Sequence, residues 1–289
     1  MYRTLFAIGC TLWALAGAAD AHAADLTLDA GRGPVVVNVP PSYSSSTPAP
    51  LVVLLHGYGS SGAAQEAYMQ FTPLSDAKGF LFVAPDGLKD STGKQYWNAT
   101  DACCDFEGNT NDSGYLRSLI ELIQKNLRVD PKRIFVTGHS NGGFMSYRMA
   151  CDHSDLIAAI APLAGVTWLD PALCAPKNPV SVLHMHGTLD ATIRYDGGCI
   201  GDACYPGAVE SVEMWSTFNK CQGSMTSAGT FDYESGRRGN ETAVKKNVTG
   251  CPKGGVLELW RMNGVSHIPT FTDAWNDAVI DFFYANPKP

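Results

Sequence analysis

Short apolar runs alternate with amphipathic stretches along this chain of 289 residues, and that alternation constrains its fold more than any other feature. The apolar runs are rich in Val, Leu and Ile and have the length of buried strands, whereas the amphipathic stretches repeat at helical spacing. Buried strands that alternate with helices indicate a mostly parallel sheet covered by helices on both faces. We therefore predict an α/β fold, with strands at 35–39, 51–56, 80–85, 133–137, 158–164, 180–186 and 256–262 and helices at 115–127, 142–151, 208–218 and 273–284.

The composition favours one globular domain that does not bind nucleic acid. Hydrophobic residues make up 45% of the chain and charged residues 17%, so a large core can form. The formal net charge is −7, and the longest basic runs are the pairs Arg237-Arg238 and Lys245-Lys246, which offer no footprint for a phosphate backbone. We expect residues 24–289 to form a single domain, with the polar stretch 222–250 as a surface loop or hairpin.

The first residues have the pattern of a cleaved export signal. Arg3 gives a positive start, residues 5–18 are largely apolar, and Ala21-His22-Ala23 forms an A-x-A cleavage site. We predict a signal peptide at 1–23, with lipidation at Cys10 as the rival interpretation. No later stretch reaches the roughly 18 to 20 apolar residues that a membrane span needs. We therefore expect a soluble protein, secreted to the extracellular space or the periplasm, without a membrane partner.

Cysteine usage agrees with an oxidising compartment, because eight cysteines remain when Cys10 is set aside. We expect four structural disulfides and no metal site, since no CxxC occurs and no cysteine lies at ligand spacing from a histidine. Short loops suggest two pairs, and the remaining four cysteines would then pair with one another. The suggested pairs are Cys199 with Cys204 and Cys221 with Cys251, which leaves the adjacent Cys103 and Cys104 to meet Cys151 and Cys174.

The most specific segment joins a predicted strand to a predicted helix through Gly138-His139-Ser140-Asn141-Gly142. A G-x-S-x-G turn in this position forces a strained backbone on the serine and leaves no room for side chains beside it. The serine hydroxyl then projects at the carboxyl edge of the sheet, where a helix N-terminus offers free N–H groups. We predict that Ser140 is a nucleophile; the alternative is a structural glycine-rich turn.

A nucleophilic serine of this kind needs an acid and then a histidine on later loops. Asp190 follows the predicted strand 180–186, and His267 lies between the last predicted strand and the last predicted helix. For Asp190 the alternative is a residue that only caps a turn. His184 and His186 share one strand face and leave a metal pair open, although no third ligand accompanies them. We predict that His267 is the general base and that Asp190 orients it.

The reaction also needs donors for the oxyanion that forms when Ser140 attacks an ester carbonyl. One is the backbone N–H of Asn141, the residue after the nucleophile. For the second we choose the backbone N–H of Tyr58, in the glycine-lined bend that follows the strand 51–56. No cofactor is required for this chemistry, and water releases the acid.

Several segments spread over residues 51–269 resemble the secreted feruloyl esterase and poly(3-hydroxybutyrate) depolymerase family of α/β-hydrolases. The resemblance implies an α/β-hydrolase fold, a Ser140–Asp190–His267 triad and an oxyanion hole at Tyr58 and Asn141. It identifies the family well and the substrate poorly, because members hydrolyse phenolic esters, polyesters and short acyl esters. The matching segments are His56-Gly57-Tyr58-Gly59, Ala84-Pro85-Asp86-Gly87, Trp97-Asn98 followed by Cys103-Cys104, Val129-Asp130-Pro131-Lys132-Arg133, Gly138 to Gly143, Tyr147 to Cys151, His184 to Asp190 and Ser266 to Pro269.

The chain departs from the family pattern around the substrate. Residues 111–114 read Asn-Asp-Ser-Gly where the family usually has Asp-Asp-Val-Gly, and the Trp commonly found near the catalytic histidine is missing. Candidate aromatic walls of a substrate pocket are Tyr58, Tyr96, Trp97 and Phe271, with ordinary packing as the alternative for each.

We expect a serine carboxylesterase acting on feruloyl or related hydroxycinnamoyl esters. A polyester depolymerase is the alternative, and peptidase and thioesterase activities use the same triad. A binding protein on a hydrolase scaffold is more distant, because the triad is complete. The expected partner is an ester substrate, either a phenolic ester or a polyester chain end, and the sequence leaves the oligomeric state open.

Overall fold

A computed structural model describes residues 25–104, 108, 110–247 and 249–289. The predicted signal peptide at 1–23 and the rival lipidation site at Cys10 lie outside these residues. Within them, no helix is both long and apolar enough to cross a membrane.

Ten strands of the described chain form one sheet whose middle is parallel. Its order is β1-β2-β4-β3-β7-β8-β9-β14-β13-β12, and the neighbours from β4 to β14 are all parallel. Two small antiparallel pairs, β5–β6 and β10–β11, lie outside it. The strands are β1 Leu26–Asp29, β2 Pro34–Asn38, β3 Ala49–Leu55, β4 Leu81–Val83, β5 Leu88–Lys89, β6 Gln95–Tyr96, β7 Val129–His139, β8 Ala159–Leu163, β9 Ser181–Gly187, β10 Gly198–Ile200, β11 Ala203–Tyr205, β12 Thr226–Phe231, β13 Thr242–Asn247 and β14 Leu257–Met262.

Helices cover both faces of this sheet, as the alternation of the sequence predicts. Apolar side chains of α3, α4 and α5 belong to the core on one face, and those of α1, α2 and α6 to the core on the other. The helices are α1 Gly62–Met69, α2 Phe71–Lys78, α3 Asp112–Asn126, α4 Asn141–Asp152, α5 Ala208–Phe218 and α6 Asp273–Ala285. The α/β-hydrolase fold is therefore confirmed, with the mostly parallel centre that buried strands require.

Local chemistry explains where the sequence prediction and the helices differ. Helix α3 begins at Asp112, three residues before the predicted start, because the Asn111 side chain caps it by accepting the N–H of Gly114 at 2.9 Å. Helices α1 and α2 escaped prediction because each spans only eight residues, and Gln70 separates them in a left-handed conformation with φ 56°.

The polar stretch 222–250 forms a hairpin, which was one of its two predicted forms. Its strand β13 pairs with β14, so the hairpin extends the central sheet. Every residue of β12 is exposed, which explains why its polar sequence lacks the pattern of a half-buried strand.

The described residues contain four disulfides, and two pairings differ from the expectation. Cys199–Cys204 and Cys221–Cys251 form as predicted, but Cys103 pairs with its neighbour Cys104, and Cys151 pairs with Cys174. The expected cross-pairing was wrong for a spatial reason. Cys103 contacts Asn141 at the first turn of α4, whereas Cys151 lies in its last turn. At 1.5 Å per residue the helix places about 15 Å between those two positions.

Candidate active site

Ser140 lies in a sharp turn between β7, which ends at His139, and α4, which begins at Asn141. Its backbone has φ 56° and ψ −119°. Residues other than glycine rarely adopt this backbone conformation, so the position is strained. The turn needs its glycines, because a Cβ on Gly142 would lie 2.1 Å from the carbonyl oxygen of Leu55. This geometry agrees with the nucleophile elbow that the G-x-S-x-G pattern predicts.

Asp190 and His267 meet at the same edge of the sheet, after β9 and β14. The two atoms His267 Nδ1 and Asp190 Oδ2 are 2.6 Å apart, and Asp190 Oδ1 accepts the backbone N–H groups of Thr192 and Ile193, both at 2.8 Å. Burial alone would raise the pKa of the Asp190 carboxyl, but hydrogen bonds from His186 and His267 lower it below its usual range. Asp190 is therefore ionised at neutral pH and faces the imidazole of His267.

Ser140 and His267 line the same cleft, which has a volume of about 410 Å³. Since Asp190 contacts His267 through Nδ1, the Nε2 atom is the one left to exchange a proton. The fold therefore brings all three predicted triad residues close together, although they are up to 127 positions apart along the chain. Parallel strands explain this, because their carboxyl ends meet at one edge of the sheet.

Two predicted oxyanion donors, Tyr58 and Asn141, lie beside the nucleophile. The bend after β3 passes Ser140 closely, because a Cβ on Gly57 would lie 3.5 Å from Ser140 Cβ. The bend is fixed by hydrogen bonds from the N–H of Gly57 to Gln65 Oε1 at 3.2 Å and from that of Gly59 to the Gln95 carbonyl at 2.8 Å. Asn141 is the first residue of α4, where backbone N–H groups have no acceptor within the helix.

His56 fixes the bend after β3, and no role was predicted for this residue. Its Nε2 accepts the N–H of Gly87 at 2.9 Å, so the ring proton is on Nδ1 and is donated to the Gly57 carbonyl at 2.8 Å. Burial lowers the pKa of His56, which keeps the ring neutral. The only sequence signal for this role of His56 is its position directly after a buried strand and before a glycine.

The three aromatic side chains predicted to form substrate walls beyond Tyr58 are not among the described residues that line the cleft. Tyr96 and Trp97 are 1% and 0% exposed, and the Trp97 indole N–H donates to the His56 carbonyl at 3.1 Å. Phe271 is half-buried and stacks on Trp275 with ring centroids 3.7 Å apart. These contacts favour packing, which was the alternative stated for Tyr96, Trp97 and Phe271, because each lies against neighbouring side chains of the core.

Tyr58, Tyr68 and Ile268 instead line the cleft beside Ser140 and His267. Sequence reasoning missed Tyr68 because it lies on α1, a helix that was not predicted. Its hydroxyl donates to the Pro269 carbonyl at 2.7 Å, which fixes the ring at the cleft. Ile268 is 64% exposed at the same opening.

His139, the residue before Ser140, contacts the loop that contains His267. Its Nε2 lies 2.8 Å from the backbone carbonyl oxygen of His267, so it donates that ring proton. Burial, together with the nearby His267, lowers the pKa of His139 to about 4. His139 is thus neutral at physiological pH and fixes the backbone of His267, the predicted base.

Comparison with known proteins places this arrangement in a family. The sequence profile of the Phospholipase/Carboxylesterase family matches residues 42–227 of this chain. The chain belongs to the Phospholipase/Carboxylesterase family. This membership agrees with the fold and with the elbow at Ser140.

Relatives of this carboxylesterase-family chain include named esterases and a depolymerase. It is 29% identical to feruloyl esterase B of Piromyces equi over 241 residues, which cover 81% of this chain and 42% of that protein. It is 28% identical to poly(3-hydroxyalkanoate) depolymerase C of Paucimonas lemoignei over 169 residues, which cover 58% of this chain and 39% of that protein. The chain thus spans less than half the length of both relatives, and the family resemblance seen in its motifs is confirmed.

A solved structure shows the same fold as this carboxylesterase-family chain. An acetyl xylan esterase from Aspergillus awamori superposes with a TM-score of 0.66 at 16% sequence identity, covering 91% of this chain and 99% of that one. At this identity the likeness concerns the fold.

Proposed function

We propose that this protein hydrolyses carboxylic esters through an acyl-enzyme formed on Ser140. The observation that carries the proposal is the strained elbow of Ser140 in a cleft shared with His267, whose Nδ1 is 2.6 Å from the ionised Asp190. A non-catalytic binding protein would have no need of a strained serine next to an oriented imidazole. Membership of the Phospholipase/Carboxylesterase family supports the same reaction class.

In the proposed acylation, His267 Nε2 takes the proton of Ser140 as the hydroxyl oxygen attacks the ester carbonyl. The carboxylate of Asp190 keeps the remaining ring proton on Nδ1 and stabilises the imidazolium that forms. His267 then gives its proton to the leaving alkoxide, which departs as the alcohol. The acyl group remains on Ser140.

The oxyanion of each tetrahedral intermediate would accept hydrogen bonds from the backbone N–H groups of Tyr58 and Asn141. Fixed backbone donors stabilise that charge without reorganising, which is the largest single contribution in many acyl-transfer enzymes. In deacylation, a water molecule gives a proton to His267 as its oxygen attacks the acyl carbon. His267 then returns that proton to the Ser140 oxygen as the acid leaves. None of these proposed steps needs a metal or an organic cofactor.

For the substrate we propose a phenolic ester whose aromatic acyl group lies against Tyr58 and Tyr68. Aromatic rings pack favourably on one another, and both tyrosines line the cleft that contains Ser140. The similarity to feruloyl esterase B supports this class. The second candidate is a polyester chain end, supported by the similarity to a poly(3-hydroxyalkanoate) depolymerase and by the exposure of Ile268 and Leu189, at 64% and 62%, beside the triad.

We also propose that the protein works outside the cytoplasm. The four disulfides in the described part of the chain are typical of proteins that fold in an oxidising compartment.

A hydrolysis panel tests the function and the substrate class together. It contains methyl ferulate, a feruloylated arabinoxylan, p-nitrophenyl and methyl butyrate, and a film of poly(3-hydroxybutyrate). We expect kcat/KM for methyl ferulate to exceed that for methyl butyrate, and replacing Tyr68 by Leu to reduce the first more than the second. Faster clearing of the film without ferulate release would decide for the polyester alternative, and no hydrolysis of any ester would refute the proposal.

A further inference from the structure

A chain of buried hydrogen bonds runs from helix α4 to the acid of the triad. The Tyr147 hydroxyl lies 2.9 Å from His184 Nδ1, and His184 Nε2 lies 3.2 Å from His186 Nδ1. His186 Nε2 then lies 2.8 Å from the Ile193 carbonyl oxygen and, in a second and longer contact, 3.4 Å from Asp190 Oδ2. Tyr147, His184 and His186 are fully buried, and the reaction proposed above uses none of them directly.

The partners determine which atom of His186 carries the proton. Nε2 faces the Ile193 carbonyl oxygen and the carboxylate of Asp190, and both of these groups only accept hydrogen bonds. The ring proton is therefore on Nε2. This proton is donated to the Ile193 carbonyl oxygen and also points towards Asp190 Oδ2, the oxygen that accepts the hydrogen bond of His267 Nδ1.

Tyr147 and His184, the other two members of the hydrogen-bond chain, fix that tautomer of His186. The buried hydroxyl of Tyr147 needs an acceptor, and in the described structure its partner is His184 Nδ1. Burial and the neighbouring His186 hold the pKa of His184 well below its usual range, so this ring is neutral and its single proton is on Nε2. His184 thus donates to His186 Nδ1, and each group in the chain donates to the next in the same direction.

We propose that His186 is a positioning residue for Asp190 and that Tyr147 and His184 hold it in the required tautomer. The Nε2–H of His186 joins the turn 190–193 to strand β9 and places a donor beside the oxygen that faces His267. A carboxylate surrounded by fixed donors keeps one orientation, and donors in a chain polarise one another. The inference rests on the proposed ester hydrolysis, because Asp190 needs that orientation to direct the imidazole of His267.

The test compares two replacements of His186 in the full-length protein with p-nitrophenyl butyrate as substrate. His186→Gln retains an N–H donor near the position of Nε2, whereas His186→Leu removes it. We expect the Leu variant to lose kcat about tenfold or more with KM within about twofold, and the Gln variant to recover most of kcat. Equal loss in both variants, or a folded Leu variant with nearly unchanged kcat, would overturn the proposal.

Two tyrosines provide a matched pair if His186→Leu does not fold. Tyr147→Phe removes the hydroxyl that starts the chain, and we expect kcat to fall about two- to fivefold. Tyr195 also packs edge-on against His186, with ring centroids 5.7 Å apart, but its buried hydroxyl is not part of the hydrogen-bond chain. Tyr195→Phe removes that hydroxyl. We expect Tyr195→Phe to keep its kcat, and equal effects of the two replacements would contradict the proposed chain.

A proton NMR measurement separates this proposal from the proposed function. The hydrogen-bonded Nδ1 proton of His267 gives a low-field resonance, which is assigned by its loss in His267→Gln. We expect His186→Leu and Tyr147→Phe to shift or broaden this resonance, and Tyr195→Phe to leave it in place. An unchanged resonance would overturn the positioning role. A wild-type protein that hydrolyses no ester, with the resonance still sensitive to His186, would overturn only the proposed function.

Discussion

The side-chain amide of Asn141 pairs with both backbone groups of Trp97. Its Oδ1 accepts the Trp97 N–H at 2.7 Å, and its Nδ2 donates to the Trp97 carbonyl at 2.8 Å. Both residues are fully buried. The residue that follows the proposed nucleophile therefore fixes the segment containing Trp97, and the Trp97 indole N–H in turn donates to the carbonyl of His56 at the start of the bend after β3.

Replacing Asn141 by Ala leaves two buried backbone groups of Trp97 without partners. We expect this change to reduce the free energy of unfolding by about 2 to 4 kcal/mol, as measured by urea titration, and to lower kcat. Asn126→Ala, at the exposed end of α3, is the control and should change stability by less than about 0.5 kcal/mol. A loss below about 1 kcal/mol for Asn141→Ala would mean that water replaces the amide.

Ser140→Ala tests the nucleophile, because it removes only the hydroxyl at the elbow. We expect ester hydrolysis to fall by ~10³ or more while the circular dichroism spectrum and Tm stay unchanged. Ser118→Ala on helix α3 serves as a control for serine replacement and should retain full activity. A Ser140→Ala protein with a tenth of the wild-type rate would place the nucleophile elsewhere.

Asp190→Asn preserves the shape of the acid but favours the wrong tautomer of His267. We expect kcat to fall by roughly 10³ to 10⁴, measured with a p-nitrophenyl ester. Asp196→Asn provides the comparison, since Asp196 is an exposed aspartate in the loop that follows Asp190. Loss of activity in Asp196→Asn together with a nearly silent Asp190→Asn would reverse the assignment.

Buried His139 should make the fold sensitive to mild acid. Burial and the nearby His267 lower its pKa to about 4 in the folded state, against about 6.5 in the unfolded chain, so the unfolded chain binds the proton more readily between these values. Stability is therefore lost as the pH falls from 6.5 to 4, by about 3 kcal/mol at most from this residue. His139→Gln should show a smaller difference between urea titrations at pH 7 and pH 4.5, and an equal difference would exclude His139 as the cause.

Disulfide mapping distinguishes the observed pairing from the sequence expectation. We expect no free thiol in the denatured, non-reduced protein once the predicted signal peptide with Cys10 has been removed, and a cross-linked peptide that joins Cys151 to Cys174. Removing that bond with Cys151→Ser and Cys174→Ser should lower the free energy of unfolding by about 2 to 4 kcal/mol in urea titrations. A peptide that joins Cys103 to Cys151 would contradict the structure.

Local chemistry made the fold class and the candidate triad predictable from the sequence. Short apolar runs rich in Val, Leu and Ile favour buried strands, and the glycines around Ser140 are needed by the turn itself. Asp190 and His267 followed from the order of strands, because residues after parallel strands share one edge of the sheet.

Tertiary packing alone decided which residues surround that triad. Trp97 and Tyr68 are both large aromatic residues, but Trp97 is buried and bonds to Asn141 and His56, whereas Tyr68 lines the cleft. His184 and His186 share a strand face in any sequence reading, and only the packed helix α4 supplies the Tyr147 hydroxyl that orders their protons. These outcomes depend on contacts between residues 37 or more positions apart, and hydrophobic periodicity carries no information about such contacts.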